Sequence, residues 1–341
     1  MRNHFLGSLV LWLLAVAAAP AQAPGVAPEP DEFWQPPRTD LDERPNIAPR
    51  GFPFYGGVDY LVWWTEKDRP LTALTADPAA HPGNAVLGEG TDFDPLLRHG
   101  VRGVLGLWLD RQQTVAFEGG GLWLSNREPN WRGASGAVGV HTEAASRLWG
   151  AEANLRCELV RRTYCHLDFL GGFRHLSLDE ALSVIERDPA ADAVTSDRCG
   201  TRNRFYGGQL GLEMELHNGN WTLDIYGKAA LGADCETVKL GGTALVGGQS
   251  VPGGLLVTPA ASGARRQDEF AVVPEFGVHL SYTVTNNLRA SVGYTFLYLS
   301  DAARPSEQLD ALRQSPHSSI LPIPSSDFWG QGLSVGLEFR F

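Results

Sequence analysis

From Tyr55 onward, about ten segments of the chain alternate apolar and polar residues with a period of two, and this alternation restricts the fold more than any other feature. Successive side chains of a strand point to opposite faces, so each segment predicts a strand with one apolar face. The segments have the length of tilted strands that cross a membrane. They are 57–64, 101–109, 114–124, 148–159, 164–175, 205–216, 221–233, 270–282, 288–298 and 330–341.

The connections between these segments alternate between short and long. The short ones are Asp110–Gln113, Arg161–Thr163, His217–Asn220 and Thr283–Asn287, and the long ones lie near 66–98, 125–143, 180–203, 234–268 and 300–327. Outer-membrane barrels combine short periplasmic turns with long external loops. We therefore predict an all-β fold, a transmembrane antiparallel β-barrel of about ten strands.

A barrel of twelve strands is the main alternative. It requires Val238–Val246 and Leu255–Thr258 to pair as a hairpin at membrane depth. Glycines and turn residues in that stretch favour an external hairpin instead.

Alternation alone does not say which face is inside, because a soluble lipocalin-like barrel would turn its apolar face inward. Three features favour an apolar face toward lipid. The loops are asymmetric, the opposite face carries charges of both signs with glycine, and aromatic residues gather near strand ends as in interfacial girdles. These aromatic residues are Tyr60, Trp64, Trp123, Trp149, Trp221, Tyr282 and Tyr298.

The first 54 residues are predicted to be a signal peptide followed by a linker. Arg2 precedes a short apolar stretch from Phe5 to Ala18, and small residues follow, so 1–21 is predicted to be a signal peptide cut after Ala21. An N-terminal membrane anchor is the alternative. Residues 22–54 are rich in proline and predict a periplasmic linker before a barrel at 55–341. Sec-type export through the periplasm would then deliver the barrel to the outer membrane.

The polar face of the strands carries the residues that we predict to line the lumen. They are Asp59, Arg102, Glu118, Glu152, Arg156, Asp168, Arg174, Glu213, Glu215, Asp224, Lys228, Glu275, Arg289, Glu338 and Arg340. Acids outnumber bases, and a narrow acidic lumen would favour cations. The alternative is that these charges pair across strands and fill the interior, since small barrels have room only for side chains.

No enzyme chemistry is predicted. The stretch Gly332–Gly336 matches a nucleophile elbow, but it lies on the final strand with no Asp or His after it. The histidines lack the spacing of a helical metal motif. We predict no catalytic residue, no cofactor and no metal.

The net charge of -11 argues against nucleic acid as a partner.

Four cysteines in an exported chain permit disulfides. Cys157 and Cys165 flank a tight turn, which predicts one pair. Cys199 and Cys235 sit near the outer ends of adjacent strands and would form the second.

Several stretches together resemble a known family. They are DYLVWW at 59–64, LGLWLD at 105–110, FLGGFRHL at 169–176, NRFYGGQLG at 203–211, FAVVPE at 270–275 and VGYTFLY at 292–298. Their order and spacing are similar to the putative beta-barrel porin-7 family of planctomycete-type outer-membrane proteins. The resemblance implies an outer-membrane barrel and supplies no substrate, cofactor or catalytic residue. The terminal Phe341 is similar to the signal read by the barrel-assembly machinery.

These observations leave two functions open. The first is a narrow porin-like channel for small solutes or ions with a preference for cations. The second is a closed barrel with a structural, adhesive or surface-binding role through its long external loops. Expected partners are outer-membrane lipid, the barrel-assembly machinery and, for a channel, small solutes or ions. The oligomeric state is left open.

Overall fold

The alternating segments form antiparallel strands that close into a ring. The structure, a computed structural model, describes residues 54–66, 97–127, 131–135, 138–314 and 322–340. The predicted signal peptide at 1–21, all but the last residue of the linker at 22–54, and Phe341 lie outside the described residues. Those assignments stay predictions.

Twelve strands and one helix are described. The strands are β1 (Phe54–Thr65), β2 (Leu97–Trp108), β3 (Val115–Arg127), β4 (Trp131–Ser135), β5 (Val138–Arg161), β6 (Cys165–Asp188), β7 (Ala193–Asn218), β8 (Trp221–Val246), β9 (Gln249–Pro252), β10 (Gly263–Thr285), β11 (Leu288–Ala303) and β12 (Ser325–Arg340). Helix α1 spans Pro305–Gln314. None of the helical segments described is long and apolar enough to cross a membrane.

Ten of the strands form the ring, which confirms the predicted strand number. Each ring strand pairs antiparallel with its neighbours, and β1 pairs with β12 to close the barrel. The two short strands, β4 and β9, lie outside the ring and pair with β5 and β8. The hairpin of the twelve-strand alternative does not form, because Leu255–Thr258 is not a strand and the end of β8 pairs with β9 instead.

Apolar side chains cover the outside of the lower half of the barrel, the half that ends in short turns. Leu105, Leu210 and Phe270 are 75%, 62% and 66% exposed, while the charged side chains of the opposite face are largely enclosed. Exposed apolar surface of this extent is typical of a lipid-facing band. The apolar face therefore points outward, as predicted.

Five strands continue far beyond this band on the long-loop side. β7 and β8 are each 26 residues long, whereas about 9–11 residues suffice to cross a bilayer. Along the extension the outward residues become polar, as Asp179, Arg202 and Lys239 show. On the predicted orientation, with the long connections outside the cell, we call these extensions of β5, β6, β7, β8 and β10 the extracellular wall.

The extracellular wall corrects the predicted extent of the long loops. Much of 125–143, 180–203 and 234–268 continues as strand, and only residues 189–192 connect β6 to β7. The error arose because alternation continues above the membrane with polar residues outside. The apolar stripe moves to the inner face there, at residues such as Leu182 and Val238, so it no longer continues the outward apolar stripe of the membrane segment.

Both predicted disulfides are wrong, since neither pair of cysteines is joined by a disulfide in the structure. In the β5–β6 pair, Cys157 lies opposite Phe169, four residues from Cys165. Four residues span about 13 Å of strand, and a disulfide needs Cα atoms within about 7 Å.

The second predicted pair fails for a different reason. Cys199 lies opposite Leu240, five residues from Cys235 on the same strand. The Cys199 side chain is fully buried inside the barrel, whereas Cys235 has the opposite parity and faces outward. The two thiols therefore lie on opposite faces of the sheet.

The barrel interior has three layers. The lowest, next to the short turns, is the charged layer, which holds the ionisable side chains of the polar face. Above it lies the apolar layer, a cluster to which every ring strand except β2 contributes; its largest members are Trp63, Phe205 and Phe328. Highest is the outer cluster, where Leu309 and Leu312 of α1 pack with apolar residues of β6, β7 and β8.

Candidate functional site

The charged layer is the candidate functional site, because period-two alternation directs one ionisable side chain after another from neighbouring strands into the lumen. At its upper end, Glu275 on β10 accepts hydrogen bonds from three side chains. Arg102 donates at 3.0 Å, Tyr226 donates its hydroxyl proton at 2.9 Å, and Arg174 also donates. Glu275 is 5% exposed, and a buried carboxylate needs hydrogen-bond donors or cations around it. Here two guanidinium groups and one phenol hydroxyl provide them.

A second carboxylate extends the same network. The Lys228 Nζ atom lies 2.6 Å from Glu152 Oε1. The Gln209 amide donates to Glu152 Oε2 at 3.1 Å and to Asn154 at 3.0 Å, and it accepts from Arg174 at 3.3 Å. Gln209 thereby links the Glu152 pair to the Glu275 pair across the sheet.

Arg156 on β5 organises the middle of the charged layer. It forms an ion pair with Glu213, and its nitrogens lie 3.6 Å from Glu118 and 3.7 Å from Asp168. Tyr55 donates to Glu118 at 2.9 Å. One guanidinium group therefore faces three carboxylates from three strands.

The lower end of the layer lies beside the short turns. Arg340 donates to Glu215 at 3.0 Å and also pairs with Glu338. Arg289 lies 3.9 Å from Glu338 and 4.0 Å from Glu215. Asp224 accepts a hydrogen bond from Ser281 at 3.3 Å.

A cavity of about 180 Å³ runs through the charged layer. Of the residues predicted to line the lumen, all but Asp168 and Arg289 border this cavity, and those two are joined to it by the ion pairs with Arg156 and Glu215. Asp59 borders the cavity beside its cross-strand neighbour Arg102. The structure therefore brings the predicted set together in one place.

The apolar layer lies directly above this cavity and was not predicted. Leu61 and Trp63 point inward from β1, while Val62 and Trp64 point outward. Runs that are apolar on both parities, such as 61–64 and 297–299, are the signal that could have revealed it. The inward residues are polar in the lower half of each strand, and this pattern concealed that the inward residues of the upper half are apolar.

Polar contacts tie the layers above the cavity together. Arg304 donates to Glu180 at 2.6 Å, and Ser146 donates to the same carboxylate at 3.1 Å. The amide of Asn203, on β7, exchanges two hydrogen bonds with the backbone of Ala303 at 2.8 and 3.0 Å. These contacts hold the end of β11, and α1 after it, against the opposite side of the barrel.

One carboxylate of the extracellular wall fixes the connection between β9 and β10. Asp197 accepts hydrogen bonds from the backbone N–H groups of Leu256 at 2.9 Å and Val257 at 3.1 Å. Burial raises the pKa of Asp197 above its usual value, and the backbone donors partly offset this. The pair of bonds anchors Val257 in the outer cluster.

The sequence reasoning missed one cluster of metal-ligating groups. Ligand atoms of His166, Glu215 and His217 all lie within 4.8 Å of one another at the lower rim of the lumen. Glu215 and His217 are two residues apart on β7, so they share a face, and His166 pairs with Glu215 across the sheet. A search for strand spacing, rather than helical spacing, would have found the Glu-x-His pair.

A family model described as Putative beta barrel porin-7 matches residues 129–341, more than half of the chain. The chain belongs to this family. Membership of the porin-7 family confirms the predicted resemblance, although the motifs at 59–64 and 105–110 lie before the matched residues. It also implies an outer-membrane location. No curated protein matches the chain.

Several solved outer-membrane barrels are similar to this porin-7 member over most of its length. The outer membrane protease OmpT from Escherichia coli is 10% identical with a TM-score of 0.45, and the match covers 85% of this chain and 94% of that one. The attachment invasion locus protein Ail of Yersinia pestis is 11% identical with a TM-score of 0.24, covering 84% and 97%. A Pseudomonas aeruginosa FadL homologue is 10% identical with a TM-score of 0.27, covering 84% and 90%. Likeness of this degree says nothing about activity.

Proposed function

We propose that this protein is a closed outer-membrane barrel that presents the extracellular wall to its surroundings, in a structural or surface-binding role. The observation that carries the proposal is the apolar layer. Its side chains are buried almost completely and come from nearly all sides of the ring. An apolar constriction that excludes water is a barrier to ions, and here the constriction consists of packed side chains.

The charged layer supports the same conclusion. Most of its carboxylates and all of its guanidinium groups form ion pairs within the barrel, so the charges act mainly on one another. Small barrels have room for side chains and little else, whereas open aqueous channels are typical of 16 or more strands. The cavity of about 180 Å³ is enough for several waters, and it lies beneath the apolar layer.

Conductance of the refolded barrel in a planar bilayer tests the proposal. We expect no discrete current steps from wild-type protein whose folding is verified by heat-modifiable migration on gels. The triple variant Trp63→Ala, Phe205→Ala, Phe328→Ala should conduct, because it removes the three largest side chains of the apolar layer. Trp123→Ala is the matched control, since Trp123 faces lipid on the same barrel and is 48% exposed.

A narrow cation-preferring channel is the second candidate function. The excess of acids over bases around the cavity favours it, and so does the description of the porin-7 family. Steady steps from wild-type protein, with cation preference in a salt gradient, would contradict the closed barrel and support the channel. Asp168→Asn with Glu213→Gln should then weaken the preference.

A further inference from the structure

We propose that His166, Glu215 and His217 form a binding site for a zinc ion or a similar first-row divalent cation at the periplasmic rim of the barrel. Two imidazoles and one carboxylate are a known ligand set for zinc, with a fourth position left for water. All three side chains are on the inner face of adjacent strands β6 and β7. This site is independent of whether the barrel conducts.

The positions of the three groups follow from strand register. His166 lies directly opposite Glu215, and His217 follows on the same face of β7, next to the turn at Gly219. The two imidazole rings have centroids 4.9 Å apart. Ligand atoms around a tetrahedral zinc are separated by about 3.3–3.5 Å, given bonds of 2.0–2.2 Å. Rotation of half-buried side chains at a turn can close the remaining distance from 4.8 Å.

Contacts outside the cluster already orient two of the ligands. The Nδ1 atom of His217 lies 3.1 Å from the Thr222 hydroxyl. On Glu215, Oε1 accepts from Arg340 at 3.0 Å. Such outer contacts are how proteins fix the tautomer and direction of metal ligands.

The buried Oε2 atom of Glu215 is the second observation that points to a cation. The Glu215 side chain is only 8% exposed, and Oε2 is contacted by His217 Nε2 at 3.3 Å, beyond the usual length of a hydrogen bond. Arg289 lies 4.0 Å from that oxygen, beyond hydrogen-bond distance. A metal ion between Oε2 and the two imidazoles would replace this long contact by direct coordination of the buried oxygen.

The two neighbouring guanidinium groups limit the affinity. Arg340 and Arg289 both face Glu215 and repel a divalent cation, so binding should be weaker than in a structural zinc site. We therefore expect one saturable zinc equivalent with a dissociation constant in the micromolar range.

Calorimetric titration of the full-length refolded barrel with zinc chloride tests the proposal. The protein carries no histidine tag and is treated with a chelator first. His166→Ala and His217→Ala should each weaken binding at least tenfold, and Glu215→Gln should do the same if it folds. His141→Ala is the matched control, because His141 also lies beside a carboxylate, 3.2 Å from Glu143, but belongs to no three-ligand cluster among the residues that the structure describes.

A second readout keeps the test decisive if one variant folds poorly. Zinc should raise the unfolding temperature of wild-type barrel and of His141→Ala, since a ligand that binds only the folded state stabilises it. It should leave His166→Gln unshifted. Absence of saturable zinc binding by heat-modifiable wild-type protein would overturn the site, as would equal affinity in the His166→Ala, His217→Ala double variant.

Discussion

At the scale of single residues, Glu275 shows how a carboxylate is accommodated inside a small barrel. Its two oxygens are shared between Arg102, Arg174 and the Tyr226 hydroxyl. Removal of one partner from a buried ion pair leaves the others charged and unpaired, at a cost of about 3–5 kcal/mol.

We therefore expect Glu275→Gln to lower the free energy of unfolding by about that amount. Urea unfolding of the refolded barrel in detergent, followed by heat-modifiable migration, measures the effect. Glu269→Gln on the same strand is exposed and should change stability little. Equal stability of the two variants would mean that the Glu275 network contributes nothing measurable.

Glycines at membrane depth differ in whether the surrounding atoms leave space for a side chain. A Cβ atom on Gly232 would lie 2.0 Å from the Tyr206 carbonyl oxygen and 2.5 Å from the Gly207 Cα atom, whereas one on Gly227 meets nothing within 4 Å. Both glycines are on β8. Gly232 allows close approach of the β7 backbone, and backbone atoms cannot rotate away as a side chain can.

Gly232→Ala should therefore destabilise the barrel by about 1–3 kcal/mol, while Gly227→Ala should be close to neutral. The midpoint of urea unfolding for the two variants gives the comparison. A neutral Gly232→Ala would show that β7 and β8 can separate without cost.

At the scale of elements, helix α1 closes the top of the lumen. Leu309 is fully buried and Leu312 nearly so, and both pack in the outer cluster against β6 and β7. Truncation of a buried leucine to alanine costs about 2–5 kcal/mol. Because this helix is short, the cost should appear as local opening.

Leu309→Ala should accelerate protease cleavage within α1 more than tenfold in the folded barrel. Leu309→Met keeps most of the side-chain volume and should be cleaved at nearly the wild-type rate. If both variants match wild type, the helix is held by its polar contacts alone.

The turn between β2 and β3 depends on one half-buried carboxylate. Asp110 accepts hydrogen bonds from the backbone N–H groups of Val115 and Thr114, both at 2.9 Å, and from the Thr114 hydroxyl. These donors, Val115 first, hold the pKa of Asp110 below its usual value. A depressed pKa means that the charged form stabilises the fold above the unfolded-state pKa, and that this contribution is lost as the pH falls through the folded-state pKa.

Asp110→Asn should therefore unfold at lower urea than wild type at pH 7. The difference should shrink as the pH becomes strongly acidic. Unfolding midpoints over this pH range measure it, and a difference independent of pH would contradict the role of charge.

The sequence predicts the elements well where one face meets lipid, and poorly elsewhere. Val58, Tyr60 and Val62 face lipid and alternate with residues that point inward, and the structure has strand β1 at this segment. Above the bilayer, many outward residues of β6 and β7, such as Asp179 and Arg202, are polar, so the sequence predicts loops there. The partners inside the charged layer, such as Glu275 with Arg102, were also beyond prediction, because they depend on how many strands separate two residues around the ring.

At the scale of the whole molecule, the short turns and the extracellular wall lie at opposite ends of the barrel. The turn at Gly247 and Gly248, where both residues have positive φ, is at the tip of the β8–β9 hairpin. The turn at Gly219 joins β7 to β8 at the other end. Outer-membrane orientation places the first outside the cell and the second in the periplasm.

An epitope inserted after Gly248 should therefore be bound by antibody on intact cells. The same epitope inserted after Gly219 should be detected only after the outer membrane is permeabilised. Fluorescence labelling of both cell preparations provides the measurement. The opposite pattern would reverse the assigned orientation.

The pairing of β1 with β12 has a consequence for biogenesis. The two strands are the first and last of the ring, so their contacts join residues at the extremes of the barrel sequence, from Tyr55 with Arg340 to Thr65 with Gly330. Long-range pairings of this kind form slowly. The seam is completed only once the whole polypeptide has been delivered, and until then both edges offer unpaired backbone groups to any passing strand. A catalyst that holds the two edges apart from other chains therefore has its greatest effect at this last step.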